Sequence, residues 1–194
     1  MGTLEFTSLI FVAALVVFLG LIGVYLAHLF NRLYRFGNAA EANLGQIRVA
    51  MKKRLDMIEQ LLGAVRGYVR HEREVFESVA SMRAKVFDAG AAGLGEIDKE
   101  SRGITGGILA VAEAYPELKA NETVKKLMDA IVSVEDEIAR HRYTYNNIVQ
   151  TFNTMVDTIP SNFVASSAGL HKLEYLQFEE GAEKRPEVTG IARN

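Results

Sequence analysis

An uninterrupted apolar segment lies near the start of the chain and differs from everything after it. No charged side chain occurs between Phe6 and Ala27, and Leu9–Ala27 reads LIFVAALVVFLGLIGVYLA. A helix from Leu9 to Phe30 would be about 33 Å long, which matches the roughly 30 Å hydrocarbon core of a bilayer. The segment therefore predicts a membrane-spanning helix, whose lipid-facing side chains would include Leu9, Phe11, Val16, Phe18, Leu21, Val24 and Leu26.

Two other interpretations of this segment are open. A cleaved signal peptide would need a basic start, a shorter apolar stretch and a small-x-small cleavage site. The opening MGTLE contains no Lys or Arg, and no A-x-A pattern follows the apolar run. A buried core helix is the other alternative, but so uniformly apolar a helix is rare in a small domain. We interpret the segment as a retained anchor.

The charged residues that flank the apolar segment predict its orientation. Glu5 is the charged residue before it, whereas a basic cluster opposed by Glu41 follows it, namely Arg32, Arg35, Arg48, Lys52, Lys53 and Arg54. The positive-inside rule places the more basic side in the cytoplasm. We therefore expect a single-pass protein of the cell membrane with its N-terminus outside and its body cytoplasmic. The same cations would lie near anionic lipid headgroups, although we favour a plain stop-transfer signal without lipid specificity.

After the anchor, apolar positions recur every seven residues and predict a long amphipathic helix over Leu44–Asp88. One series is Leu44, Met51, Ile58, Val65, Glu72, Val79 and Val86; a second is Leu55, Leu62, Val69, Phe76 and Arg83; a third is Leu61, Tyr68, Val75 and Met82. Three such stripes make a face wide enough to contact two or more neighbours in a bundle. The glycine-rich Ala89–Gly95 predicts the turn that follows.

Two further helices are predicted beyond this turn. The second covers Glu96–Ala114, and Pro116 then either reverses or only kinks the chain. Asn121 is a suitable N-cap for the third helix, Glu122–Ile159. One apolar seam of that helix is Val124, Ile131, Ile138, Tyr145, Phe152 and Ile159, and the other is Leu127, Val134, His141, Ile148 and Met155.

These elements predict an all-α protein in which an N-terminal transmembrane helix continues into a long antiparallel helical bundle. The anchor occupies residues 1–31 and the bundle residues 32–180, with a final segment around Phe163–Phe178 packed back on the bundle. Residues 181–194 are polar and are expected to form a flexible tail.

Three stretches resemble the LemA family. RLDMIEQLLGAVRGYVRHEREVFESV (Arg54–Val79) is similar to that family's first core helix, and AEAYPELKANETV (Ala112–Val124) to its central break. EDEIARHRYTYNNIVQTFNTMVDTIPSNFVA (Glu135–Ala165) resembles its last long helix. The resemblance covers roughly residues 32–180 and implies a single-pass membrane protein with a helical-bundle domain. One branch of the family takes part in forming magnetosome membranes, and its biochemical activity is otherwise undefined.

Candidate chemistry is sparse. The chain has no Cys, and a pI of about 6.1 argues against a broad nucleic-acid-binding surface. No phosphate-binding, nucleophile-elbow or Glu-x-x-His motif is present, so we expect neither catalysis nor a cofactor or metal. Glu137 and His141 could contribute to a metal site but favour a local hydrogen-bonded pair. Glu72 and His141 occupy core positions, where a polar layer that fixes helix register is favoured over a pH switch.

The charge distribution bears on function. Residues 32–88 carry a net charge of +4 and residues 89–194 a net charge of −5. This asymmetry suits pairing of helices within one chain, and equally the association of neighbouring copies. We expect a membrane-anchored scaffold or assembly protein that forms a homo-oligomer. The alternatives are an accessory or regulatory subunit bound to a membrane protein such as a protease and, more weakly, a metal- or ligand-binding bundle.

Overall fold

The computed structural model describes residues 2–69 and 72–177, and within those ranges it contains helices and no strand. The helices are α1 (Gly2–Ala64), α2 (Glu72–Lys85), α3 (Ala91–Ala114), α4 (Pro116–Lys119), α5 (Glu122–Asp157) and α6 (Ser161–Ser167). The predicted fold class is therefore confirmed: an apolar N-terminal helix continues into an antiparallel helical bundle. The predicted tail, residues 181–194, lies outside the described residues.

Helix α1 is continuous from the apolar segment into the bundle. It extends over 63 residues, and the absence of proline before Pro116 leaves its backbone hydrogen-bond ladder intact. Side chains become buried from Leu29 onward at helical spacing, as in Leu33, Ala40 and Leu44. The same rigid element therefore provides the apolar segment and part of the bundle core.

The predicted continuous helix over Leu44–Asp88 is wrong, because α1 ends at Ala64. A turn follows in which Gly67 adopts a φ of 88°. This left-handed conformation costs residues with a Cβ about 1–2 kcal/mol but is free to glycine. The predicted turn also begins earlier than expected: α2 ends at Lys85, and Ala91 already starts α3.

Contacts between helices show that the chain reverses at each turn. Arg83 of α2 pairs with Asp56 and Glu59 of α1, so α2 returns along α1. In α3, Asp98 lies beside Arg54. Further along the chain, the rings of Tyr115 and Tyr68 are 4.9 Å apart, so α3 runs parallel to α1.

Pro116 therefore stands at a reversal rather than a kink. Tyr115 before it is extended, as expected for a residue that precedes proline. The predicted N-cap is confirmed, since Asn121 Oδ1 accepts hydrogen bonds from the backbone N–H groups of Thr123 (2.9 Å) and Val124 (3.2 Å). Helix α5 then runs antiparallel to α1, which places Glu137 beside Lys53.

The chain divides into two compact units, and both long helices contribute to each. The second unit contains Gln46–Arg140. In it α1, α2, α3 and α5 form an up-down-up-down bundle. Its core is aliphatic, and Met51, Leu55, Ile58, Leu62, Leu94, Ile131 and Ile138 are all less than 2% exposed.

The first unit combines the chain up to Gly45 with His141–Tyr175. Its core cluster consists of Leu29, Leu33, Phe152, Met155, Val164 and Ala165. Asn153 holds the segment after α6: its Nδ2 donates to the Leu173 carbonyl at 2.9 Å, and its Oδ1 accepts from the Leu173 N–H at 2.8 Å. The prediction that the final segment packs back is thus confirmed as far as it is described; Phe178 lies beyond.

The seams predicted for the last long helix are largely confirmed. Val124, Ile131, Ile138, Tyr145 and Phe152 are all buried, as are Val134 and Met155 of the other seam. The other members of that seam, Leu127, His141 and Ile148, are half-buried, and Ile159 of the first seam is 76% exposed. The helix ends at Asp157, so the seven-residue repeat no longer fixes the direction of the Ile159 side chain.

Candidate functional site

The apolar part of α1 exposes its side chains. Among the described residues, α1 is the one helix long and apolar enough to cross a membrane. All of the predicted lipid-facing side chains are exposed, namely Leu9, Phe11, Val16, Phe18, Leu21, Val24 and Leu26. A core helix of a soluble protein would bury such side chains. The core-helix alternative is therefore wrong, and the segment is suited to a lipid environment.

Aromatic side chains mark the end of this segment. The rings of Phe30 and Tyr34 are 4.6 Å apart, and both side chains are 42% exposed. Aromatic side chains favour the boundary between hydrocarbon and water, where an apolar ring and a polar group are both accommodated. Phe30 lies about one turn and Tyr34 about two turns beyond Ala27, where an interface is expected for a helix that spans a membrane.

The structure separates the six predicted basic residues into different environments. Arg48 Nε donates to the Ala89 carbonyl at 3.2 Å. Lys52 Nζ lies 2.9 Å from Asp56 Oδ2, and Lys53 Nζ lies 3.5 Å from Glu137 Oε2.

Arg32 and Arg35 have no such contacts. Both are exposed, and neither guanidinium forms an ion pair or hydrogen bond with the described part of the chain. Phe36 is their shared neighbour, because each guanidinium carbon lies within 6 Å of its ring centroid, at 5.7 Å for Arg32 and 5.9 Å for Arg35.

Arg54 departs from the prediction that placed it among lipid-facing cations. Its side chain is 0% exposed, and its Nη1 lies 2.8 Å from Asp98 Oδ1, which is itself 1% exposed. Arg54 Nη2 also donates to Ser101 Oγ at 2.5 Å. Because these groups are enclosed in the second unit, Arg54 is unable to reach a headgroup, and its assignment to the lipid flank is wrong.

Two partly exposed charges, Glu135 and Arg102, complete this network. Glu135 Oε1 of α5 lies 3.9 Å from Arg54 Nη1, and Arg102 Nε lies 2.9 Å from Asp98 Oδ2. Two guanidiniums thus face two carboxylates, and the ion pairs tie α1 to α3 and α5. Burying a charge is costly unless it is paired. The network therefore favours the register of these helices in which each charge has a partner, and it disfavours registers that would leave a charge unpaired.

The spacing of residues contains a signal that could have identified this network. Arg54 follows Met51 by three positions and precedes Ile58 by four, so it lies on the buried face of α1. Asp98 follows Leu94 by four positions in α3, which places it on the same side of that helix. A count of the charges near the apolar segment does not separate Arg54 from the exposed basic residues, because such a count gives every basic side chain the same weight.

The two residues predicted to form a polar core layer are Glu72 and His141. The side chain of Glu72 lies outside the described residues. His141 is half-buried on α5, and Glu137, one turn before it, faces Lys53. Their predicted role stays a prediction. In the described ranges, no three His, Asp or Glu side chains form a group that could hold a metal ion.

The fold and the exposed apolar helix define a membrane-associated, all-helical protein. Comparison with known proteins identifies its family: the sequence model of the LemA family matches residues 43–189. The chain therefore belongs to the LemA family, which confirms the resemblance seen in the sequence.

Curated relatives agree with this assignment. The chain is 27% identical to Protein LemA of Metamycoplasma hominis, over 77% of this chain and 69% of that protein. It is 25% identical to Magnetosome protein MamQ 2 of Paramagnetospirillum magneticum, over 82% of this chain and 68% of that protein. It is 23% identical to Magnetosome protein MamQ of Magnetospirillum gryphiswaldense, over 77% of this chain and 65% of that protein.

Proposed function

We propose that this protein is a membrane-anchored helical scaffold that acts by position and without catalysis of its own. The observation that carries the proposal is the continuity of α1. One 63-residue helix contains both the exposed apolar segment and buried core positions of both units. A helix that continues from the apolar segment into the core of the first unit attaches that unit to the bilayer directly, whereas a flexible linker would let it move freely.

We further propose that the N-terminus lies outside the cell and the body in the cytoplasm. The support is the distribution of charge: Arg32 and Arg35 follow the apolar segment within a few residues, whereas Glu5 precedes it. Basic residues close to the end of a spanning helix have the strongest influence on its orientation.

Self-association of the body is part of the proposal. The charge asymmetry gives it little support, because cations of α1 pair within the chain, as Lys53 does with Glu137 and Arg54 does with Asp98. The support comes instead from an outer face of α1 in the second unit. There Val49 is 55% exposed and lines a shallow recess of about 280 Å³ together with Met57 and Gln60.

Such a face is suited to a neighbouring helix of a second copy. Val49 and Met57 supply apolar contact. Lys52, Lys53 and Asp56 beside them supply polar contact at the edge, as in helix pairs of coiled coils. Confinement to a membrane raises the effective concentration of copies, so a weak lateral contact of this kind would be populated.

Disulfide trapping in native membranes tests this proposal. Because the chain has no Cys, Val49→Cys introduces a single thiol into the full-length protein. Mild oxidation is expected to give a dimer of Val49→Cys within minutes. Lys125→Cys, an exposed position on α5, is the matched control and is expected to stay monomeric.

Light scattering of the full-length protein in mild detergent provides the second measurement. A mass of two or more chains per particle supports the scaffold. A monomer that fails to cross-link at Val49 would contradict self-association. If that monomer also co-purified with one membrane protein, the accessory-subunit alternative would replace the scaffold.

A further inference from the structure

The two turns of α1 that follow the apolar segment present a polar face. His28, Asn31, Arg32 and Arg35 follow one another at intervals of three, one and three residues, so they lie on one side of the helix. Together they line a shallow recess of about 160 Å³. All four side chains can donate hydrogen bonds, and none is an acid.

The rotation of this face is fixed by packing. Leu29 and Leu33, on the adjacent side of the same turns, are buried in the core cluster of the first unit. Phe36 packs against that cluster too, and the guanidiniums of Arg32 and Arg35 both lie over its ring. The shared ring brings the two cations together, which reduces the conformational entropy lost when both bind one anion.

In a bilayer that α1 spans as far as Ala27, the recess would lie at the level of the polar headgroups. Arg32 is about 7.5 Å along the helix axis beyond Ala27, and the headgroup region is about 5–8 Å thick on each side. Helical side chains lean toward the N-terminus of their helix. In α1 that direction is toward the apolar segment, so Arg35 also reaches back toward the headgroups.

The two guanidiniums lack a protein counter-ion in the described structure. Asp157, an acid of the same unit, is paired with Lys172, with 2.7 Å between Oδ2 and Nζ. Farther along α1, Lys52 and Lys53 face carboxylates instead. An anion supplied from outside the chain would complete the site at Arg32 and Arg35.

We propose that His28, Asn31, Arg32 and Arg35 form a binding site for the phosphate of an anionic phospholipid headgroup. A guanidinium binds phosphate through two parallel hydrogen bonds, which an ammonium group does not reproduce. The amide of Asn31 and the imidazole of His28 supply further donors on the membrane side. The proposal deepens the proposed function and rests on its membrane-spanning α1.

Lipid binding to the full-length protein in detergent tests the site. Native mass spectrometry measures retention of added phosphatidylglycerol against phosphatidylcholine, whose choline cancels the phosphate charge. We expect a preference of about 30-fold for phosphatidylglycerol, because the contributions of the two basic side chains to binding an anionic lipid multiply. The double variant Arg32→Gln, Arg35→Gln is expected to lose this preference.

Two further variants distinguish a specific phosphate-binding site from non-specific attraction between opposite charges. Arg32→Lys with Arg35→Lys keeps both charges but removes the paired hydrogen bonds, and should lower the preference at least about threefold. Lys119→Gln with Lys125→Gln removes two exposed cations of the second unit and should leave it unchanged. Full preference in the lysine variant, or an equal loss in the Lys119 and Lys125 control, would overturn the site.

Two controls identify the source of the phosphate and separate this proposal from the anchor. Inorganic phosphate at millimolar concentration should not displace phosphatidylglycerol; displacement would show that a free anion is bound and that the lipid assignment is wrong. Alkaline extraction of membranes tests the anchor in each variant. A chain that stays in the membrane but shows no lipid preference contradicts the site alone, whereas an extracted chain contradicts the proposed function.

Discussion

Arg32 and Arg54 lie on the same helix but have opposite environments. Arg32 is exposed, in the first unit, and lacks an acidic partner within the described structure. Arg54 is 0% exposed, in the second unit, and lies 2.8 Å from an equally enclosed Asp98. Both are basic residues that follow an apolar segment, and charge alone does not tell them apart.

The difference shows what a charged residue contributes at each place. In the first unit a cation can interact with something outside the chain, because the protein provides no counter-ion. In the second unit the cation is part of the protein's own core, where its removal would leave the buried Asp98 with Arg102 as its remaining ion-pair partner. Arg32 therefore affects the location of the protein and what it binds, whereas Arg54 affects the register of the helices in the bundle.

Removing the buried cation gives the largest expected difference between the two positions. Arg54→Ala leaves Asp98 buried with a weaker set of partners and is expected to lower the free energy of unfolding by about 3–5 kcal/mol. Arg32→Ala, at an exposed position, is expected to change it by less than about 0.5 kcal/mol. Denaturant unfolding of the full-length protein in detergent, followed by circular dichroism, measures both.

A double variant separates the charge from the packing. Arg54→Met with Asp98→Leu removes both charges and keeps the volume, so most of the lost stability should return. A double variant no more stable than Arg54→Ala would mean that the ion pair itself, and not the avoidance of an unpaired charge, stabilises the bundle.

The core of the first unit offers the corresponding test for packing. Phe152 is 2% exposed in the cluster with Leu29 and Leu33. Phe152→Ala is expected to cost about 3–5 kcal/mol, since it removes a large side chain and leaves a cavity. Asn147→Ala, exposed on the same helix, should cost less than about 1 kcal/mol. Equal shifts of the two variants would contradict the assigned face of α5.

Features that depend on local pattern were predictable from the sequence. The seams of α5 follow from seven-residue spacing, which placed Ile138 and Phe152 correctly in the core. Asn121 was identified as an N-cap because its short side chain can reach the free N–H groups of the next turn. The apolar segment followed from length and composition alone.

Features that depend on tertiary contacts were not predictable in this way. The sequence around Gly67 keeps apolar spacing across the break, because Val65 and Val79 are buried on either side of it. Periodicity therefore continues where the helix does not. The partner of Arg54 is 44 positions away in α3, and no local pattern indicates which acid a buried base will meet.

Glycine substitutions give a smaller test of the break after α1. Gly67 has a φ of 88°, so Gly67→Ala is expected to destabilise the protein by about 1–2 kcal/mol. Gly45 lies inside α1, and no atom lies within 4 Å of a Cβ added there. Gly45→Ala should therefore stabilise the protein by about 0.5–1 kcal/mol. Thermal unfolding should show shifts of opposite sign; two shifts of the same sign would contradict the turn.

The central claim is that one helix crosses the membrane and enters the bundle with its N-terminus outside. Labelling of single cysteines with a membrane-impermeant maleimide in intact and lysed cells tests it most directly. We expect Thr3→Cys to react in intact cells, Lys125→Cys to react only after lysis, and Val16→Cys to resist the reagent in both. Reaction of Val16→Cys as fast as Lys125→Cys after lysis would contradict the membrane span, and reaction of Lys125→Cys in intact cells would contradict the orientation.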